Sequence, residues 1–211
     1  MTKSFIAATY SKYLVEMNFE RCEVFKAIQG WASSATVLYP GSFIHVTPSF
    51  FYQHVVYVDR SPFAEQFFAD VPGVFDFVTS RKQYRQPPFI RFIAQDYTVS
   101  LPLLENTFDL LISLYAGGIS QACKAYLKVG GILLSNNHHD DAGEAARSRD
   151  FKLVAVMRHN GNICRFSETD LDSYFVPKKD VGTRAHARYG STKPEYTQNA
   201  DYYLFKKVLV P

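Results

Sequence analysis

Two aspartates stand where a folded sheet would offer them to a ligand. Asp59 closes the apolar run Val55-Val56-Tyr57-Val58, and Asp96 follows the run from Phe89 to Ala94. Between them in importance is a break upstream, where Val37-Leu38-Tyr39 gives way to Pro40-Gly41-Ser42. Ligands of open α/β sheets bind beyond the carboxyl ends of strands. A glycine there lets backbone approach a ligand closely, and an ionised acid accepts two hydrogen bonds from the hydroxyls of a ribose. The stretch from Ala35 to Asp59 therefore reads as strand, tight turn, short helix from Pro48, strand and terminal acid, a layout able to hold a nucleoside. The plainer alternative is that Gly41 only makes a turn and Asp59 only caps a helix starting near Pro62.

A second polar group is Asn136-Asn137-His138-His139-Asp140-Asp141. Adjacent residues of a strand point to opposite sides, and spacings of the His-x-x-x-His kind are missing. The cluster is read as a polar rim loop without a metal. Because histidine as a residue type titrates near neutrality, His138 is a candidate proton acceptor for a substrate. Cys22, Cys123 and Cys164 are widely spaced, without a Cys-x-x-Cys pair, which fits free thiols in a reducing compartment.

These residues need elements to position them. Apolar residues from Phe5 to Ile28 recur at three- and four-residue steps, predicting a helix over 4–30 that either packs on a sheet or covers a site as a lid. Ser61-Pro62 starts a further helix, and another is expected over 74–86. Strands are expected at 89–94, 108–115, 132–135 and 151–157, with helices over 119–128 and 140–149. Nearly continuous apolar strands alternating with helices imply a largely parallel sheet covered on both faces. Residues 160–200 hold few aliphatics and read as a rim extension carrying Lys178, Lys179, Arg184, His186, Arg188 and Lys193. Tyr202 to Val210 is expected to add a last, antiparallel strand.

The chain has 211 residues, 47% hydrophobic, which suits one α/β domain with a sizeable core and no staples. A net charge of +3 is too mild to specify a nucleic-acid partner. The basic extension, with Tyr189 and Tyr196 interleaved, is either a solvated segment or a surface for an anionic substrate or RNA. The first ten residues do not resemble a signal peptide, and no stretch reaches the length of a membrane span. A cytoplasmic protein is expected.

Four pieces in this order resemble the class I S-adenosylmethionine-dependent methyltransferases. They are Val37-Leu38-Tyr39-Pro40-Gly41-Ser42, then Val56-Tyr57-Val58-Asp59, then Ala94-Gln95-Asp96-Tyr97, and finally Phe108 to Ser113 with Tyr126 to Leu134. The resemblance covers about residues 31–157 and the last strand. It implies a Rossmann-like three-layer α/β/α sandwich, with a mostly parallel seven-stranded sheet whose last strand is antiparallel. On this basis residues 1–211 form one methyltransferase-like domain, with 1–30 as a helical cap.

The resemblance also implies roles. Tyr39, Pro40, Gly41 and Ser42 would run under the methionine part and ribose of S-adenosylmethionine. Asp59 would hold the ribose, Asp96 and Tyr97 would flank the adenine, and Ser113, Leu114 and Tyr115 would lie near the methyl donor. Asn136 and His138 would meet the acceptor. The first loop departs from the family. Tyr39 stands where an acid is common, and Phe43 and His45 occupy the next two glycine positions.

The resulting expectation is methyl transfer to a small-molecule acceptor. Much of the catalysis can come from alignment, and a base is needed only if the acceptor must lose a proton. The competing expectation is a methyltransferase-like binding or scaffold protein that has lost the cofactor. A nicotinamide dinucleotide enzyme ranks lower, because residues 41–46 lack the Gly-x-Gly-x-x-Gly pattern.

Overall fold

The computed structural model describes residues 5–178 and 195–209. Expectations resting on Lys179, Arg184, His186, Arg188, Tyr189 and Lys193 lie outside them.

Eight strands form one sheet: β1 (Thr36–Pro40), β2 (His54–Asp59), β3 (Phe89–Ala94), β4 (Phe108–Ser113), β5 (Leu127–Ser135), β6 (Phe151–Asn160), β7 (Ile163–Ser167) and β8 (Tyr202–Lys207). Their order is β3-β2-β1-β4-β5-β8-β6-β7. The first five pair in parallel. β8 is antiparallel to both β5 and β6.

Alternation along each strand divides the core in two. Val37 and Tyr39, Val55 and Tyr57, and Leu110 and Ile112 enter one cluster, which also holds Ile6, Tyr10, Phe25 and Ile28 of the N-terminal helices. Leu38, Val56, Val58 and Leu111 enter the other, with Ile119, Cys123 and Ala145. Burial on both faces is why these strands read as unbroken apolar runs. The result is the expected α/β/α sandwich.

The sheet has one strand more than the seven expected. β7 forms a hairpin with β6, pairing Asn160 with Ile163 across a two-residue turn opened by Gly161 at φ +58°. Gly161-Asn162 is itself a hairpin signal, inside the segment read as rim extension.

The long helix expected over 4–30 is two. Helix α1 (Phe5–Tyr10) runs into a π-helical turn (Ser11–Val15), and α2 (Cys22–Trp31) follows a break. Asn18 and Arg21 take left-handed conformations, at φ +56° and +61°, and reverse the chain. Apolar spacing continued through the break because residues on both sides pack on the same sheet face. Both helices pack on the sheet, while the turn between them reaches the rim.

Three helices follow β1 and β2: α3 (Pro48–Phe51), α4 (Pro62–Ala69) and α5 (Val71–Thr79). Ser61 caps α4, accepting from the Ala64 N–H at 3.5 Å. Helix α5 stops well short of residue 86. Helix α6 (Ile119–Ala122) is a single turn ahead of a 3-10 turn (Lys124–Tyr126), and α7 (Asp141–Arg147) covers the second core. No helix among the described residues is long and apolar enough to cross a membrane.

Candidate functional site

The chain reverses its strand order between β1, which leads back to β2, and β4, which leads on to β5. A crevice for ligands is expected beyond the carboxyl ends of strands at such a point. Gly41 sits there at φ +64°, in the left-handed region that favours glycine. Its N–H donates to the Val58 carbonyl at 2.8 Å, so the loop leaving β1 bends over the end of β2.

Asp59 ends β2 facing this loop. One carboxylate oxygen accepts from the Phe43 N–H at 2.7 Å and the other from the Ser61 N–H at 2.8 Å. The acid thus ties the first loop to the start of α4. Each oxygen retains one lone-pair direction, and the residue is half-buried rather than enclosed.

Phe43 does not plug the crevice. Its backbone is left-handed, at φ +49°, and its ring stacks on Phe63 at 5.5 Å and 19° and meets the Tyr13 edge at 5.8 Å. That conformation points its N–H at Asp59 and its bulk toward the N-terminal helices.

Other atoms cover Gly41 instead. A Cβ built on it would lie 2.7 Å from the Ala116 Cβ and 3.5 Å from the Tyr97 ring. The Tyr97 hydroxyl donates to the Gly117 carbonyl at 2.9 Å, strapping the loop after β3 to the loop after β4. In residue type, the acid and glycine suit an adenosyl group. As arranged, the side of Gly41 on which a Cβ would stand is filled by Ala116 and Tyr97.

The remaining expected site residues divide. Tyr39 points into the first core, where its hydroxyl meets His45 Nδ1 at 3.0 Å. His45 Nε2 lies 2.9 Å from the Glu20 carbonyl, which only accepts. Nε2 must therefore carry the proton, and Nδ1 accepts from Tyr39. Burial, the largest influence, lowers the His45 pKa to about 4, with the nearby Arg21 charge acting in the same direction. Pro40 and Ser42 are buried.

Asp96 pairs with Arg60 at 2.9 Å and accepts from the Thr98 N–H and hydroxyl at 2.9 and 2.7 Å. Those Thr98 bonds, ahead of Arg60, hold its pKa below the ordinary carboxylate range.

Ser113 and Leu114 are turned inward and do not line the crevice. The Ser113 hydroxyl donates to Asp141 at 2.5 Å, and Asp141 also accepts from the Ser120 N–H at 2.9 Å. This buried acid ties β4, α6 and α7 together. Leu114 is buried in the first core.

Tyr115 instead turns outward at φ +60° and is 38% exposed. Its ring meets His138 at 5.4 Å and Phe19 at 5.4 Å. Asn136 accepts from the Tyr115 N–H and the His138 N–H, at 3.3 and 3.2 Å. Tyr115, Asn136 and His138 therefore do come together, at the ends of β4 and β5. Among the described residues no three His, Cys, Asp or Glu side chains are grouped as metal ligands.

Tyr196, considered as a base-stacking ring, is buried, with its hydroxyl bonded to Asp140 at 3.1 Å and accepting from Arg147 at 3.0 Å. It cannot offer a face to a nucleic acid in this arrangement. Lys178 is paired with Glu195 at 3.2 Å.

Beside Tyr115 and Asn136 lies a cleft of about 560 Å³ that sequence reasoning missed, lined also by Arg21, His159, Asp201 and Tyr202. Its lining comes from five separated segments, of which the sequence singled out Tyr115 and Asn136, and the Gly161-Asn162 turn carried a hairpin signal.

The strand order with an antiparallel β8 between β5 and β6 defines the class I methyltransferase fold. Solved structures share it at the level of fold. A candidate O-methyltransferase from Klebsiella pneumoniae is 8% identical, with a TM-score of 0.50, covering 90% of this chain and 80% of its own. A protein from Corynebacterium glutamicum is also 8% identical, with a TM-score of 0.50, covering 100% of this chain and 93% of its own. No protein-family model and no curated protein matches the sequence.

Proposed function

We propose that this chain is an S-adenosylmethionine-dependent methyltransferase of the cytoplasm that acts on a small molecule. The observation that carries the reading is the strand reversal between β1 and β4, with left-handed Gly41 on one side and Asp59 at the end of β2. Bound there, the cofactor would supply an activated methyl group. Asp59 would accept from the ribose through its free lone pairs, and Tyr97 would pack beside the adenine after releasing Gly117. Tyr115 and Asn136 would face the acceptor.

A second reading is a binding or scaffold protein that keeps the fold without turnover. The closure of Ala116 and Tyr97 over Gly41 favours it.

Calorimetry with S-adenosylhomocysteine separates the two. The enzyme reading expects saturable binding, weakened about tenfold or more by Asp59→Ala through loss of charge-assisted hydrogen bonds. Tyr97→Phe removes the bond to Gly117 and is expected to tighten binding about threefold to tenfold, because opening the strap then costs one hydrogen bond less. Absence of binding by wild type and Tyr97→Phe alike at millimolar ligand would favour the scaffold.

A further inference from the structure

The cleft beyond β4, β5 and β8 contains a cation that makes no ion pair among the described residues. Arg21 opens α2 from a left-handed position, and that ten-residue helix has no side-chain cap. One end nitrogen of its guanidinium donates to the Asn18 carbonyl and the other to the Tyr115 hydroxyl at 3.3 Å. The Phe19 ring lies 5.7 Å away. These partners are neutral, and no carboxylate comes within 4.0 Å of Arg21 in any ion pair among the described residues. Its Nε is buried with no hydrogen-bond partner.

A second unpartnered atom shares the cleft. His159 donates its backbone N–H to Asp201 at 2.7 Å, but its ring Nε2 is buried and unbonded. Buried polar groups are ordinarily paired, and those that are not call for an explanation. Both residues line one cleft, and an occupant that turned these two side chains outward would pair both atoms.

We infer that this cleft binds the carboxylate of a small molecule, with Arg21 as its anchor and His159, Tyr115 and Tyr202 around it. A guanidinium matches a carboxylate edge to edge and gains most where water is scarce. The uncapped start of α2 adds a partial positive charge. Glu23 and Asp201 also line the cleft, so a group with a second negative charge is disfavoured, and a carboxylate is preferred to a phosphate. Resting on the methyltransferase reading, the molecule is the methyl acceptor, since Tyr115 and Asn136 border both the cleft and the end of β4.

The test is a titration of the protein, without cofactor, with sodium benzoate, benzamide and inorganic phosphate, followed by the NMR signal of the Arg21 Nε–H. Benzoate is expected to shift that signal saturably. Benzamide and phosphate are expected to bind at least about tenfold more weakly, for want of a single matched charge. Arg21→Gln should weaken benzoate about tenfold or more, read from the Tyr202 amide, while Arg21→Lys retains part of the affinity. Thermal unfolding of each variant checks that it folds. Equal affinity for benzoate and benzamide, or benzoate binding unaltered in a folded Arg21→Gln, would overturn the assignment. Benzoate binding without S-adenosylhomocysteine binding would leave the carboxylate site standing and remove the methyltransferase reading alone.

Discussion

Gly41→Val is expected to lower the unfolding free energy by about 4 kcal/mol, combining a left-handed L-residue with overpacking. The glycine holds φ +64°, and any Cβ there stands 2.7 Å from the Ala116 Cβ. Neither atom is the end of a flexible chain, so backbone must move. Gly41→Ala meets the same atom, and pairing it with Ala116→Gly should recover the steric share and leave the dihedral share. Urea unfolding of the two single variants and the double variant measures both. If Gly41→Ala costs no more than about 1 kcal/mol, near the dihedral share alone, then the loop after β4 does not rest on Gly41 in solution.

Acid should weaken the fold through His45. Its pKa is lowered from 6.5 to about 4 in the folded protein, chiefly by burial. Between those values the unfolded chain holds a proton that the folded chain refuses. The unfolding free energy therefore rises with pH across that window and falls as pH drops. Full stability is present above pH 6.5, and the loss accumulates to about 3 kcal/mol by pH 4. The Nδ1 that would take the proton already accepts from Tyr39, so protonation also breaks a buried hydrogen bond. Urea midpoints at pH 7.5, 6, 5 and 4, compared with His45→Gln, isolate this contribution. Parallel curves for the two proteins would remove His45 from the acid sensitivity.

Local chemistry was legible in the sequence where one residue sufficed. Gly41 announced a left-handed turn that favours glycine, and Asp59 announced the end of β2. Strand faces were legible because alternation into two cores leaves a continuous apolar run. Geometry that depends on partners far along the chain was not. Phe43 reads as an obstruction until its own backbone dihedral turns the ring toward Tyr13 and Phe63. Ser113 reads as a crevice residue until Asp141, 28 positions later, accepts its hydrogen bond. Arg21 was hidden because the apolar spacing of α1 and α2 runs across the reversal that exposes it. The hairpin at Gly161-Asn162 could have been found from that dipeptide, but the polar stretch that follows masked β7.

The position of β8 constrains the order in which the molecule can be assembled. It is the strand that joins the β1–β5 block to the β6–β7 hairpin, pairing Tyr203 with Ser135 on one side and Val156 on the other. A growing polypeptide must therefore keep β5 and β6 unsatisfied until Lys207 has left the ribosome. Contacts between segments so distant in sequence are slow to form, and exposed edges invite pairing with other chains. The nascent protein is thus most vulnerable to aggregation just before its sheet is completed, and a chaperone that shields the β5 and β6 edges would help most at that stage.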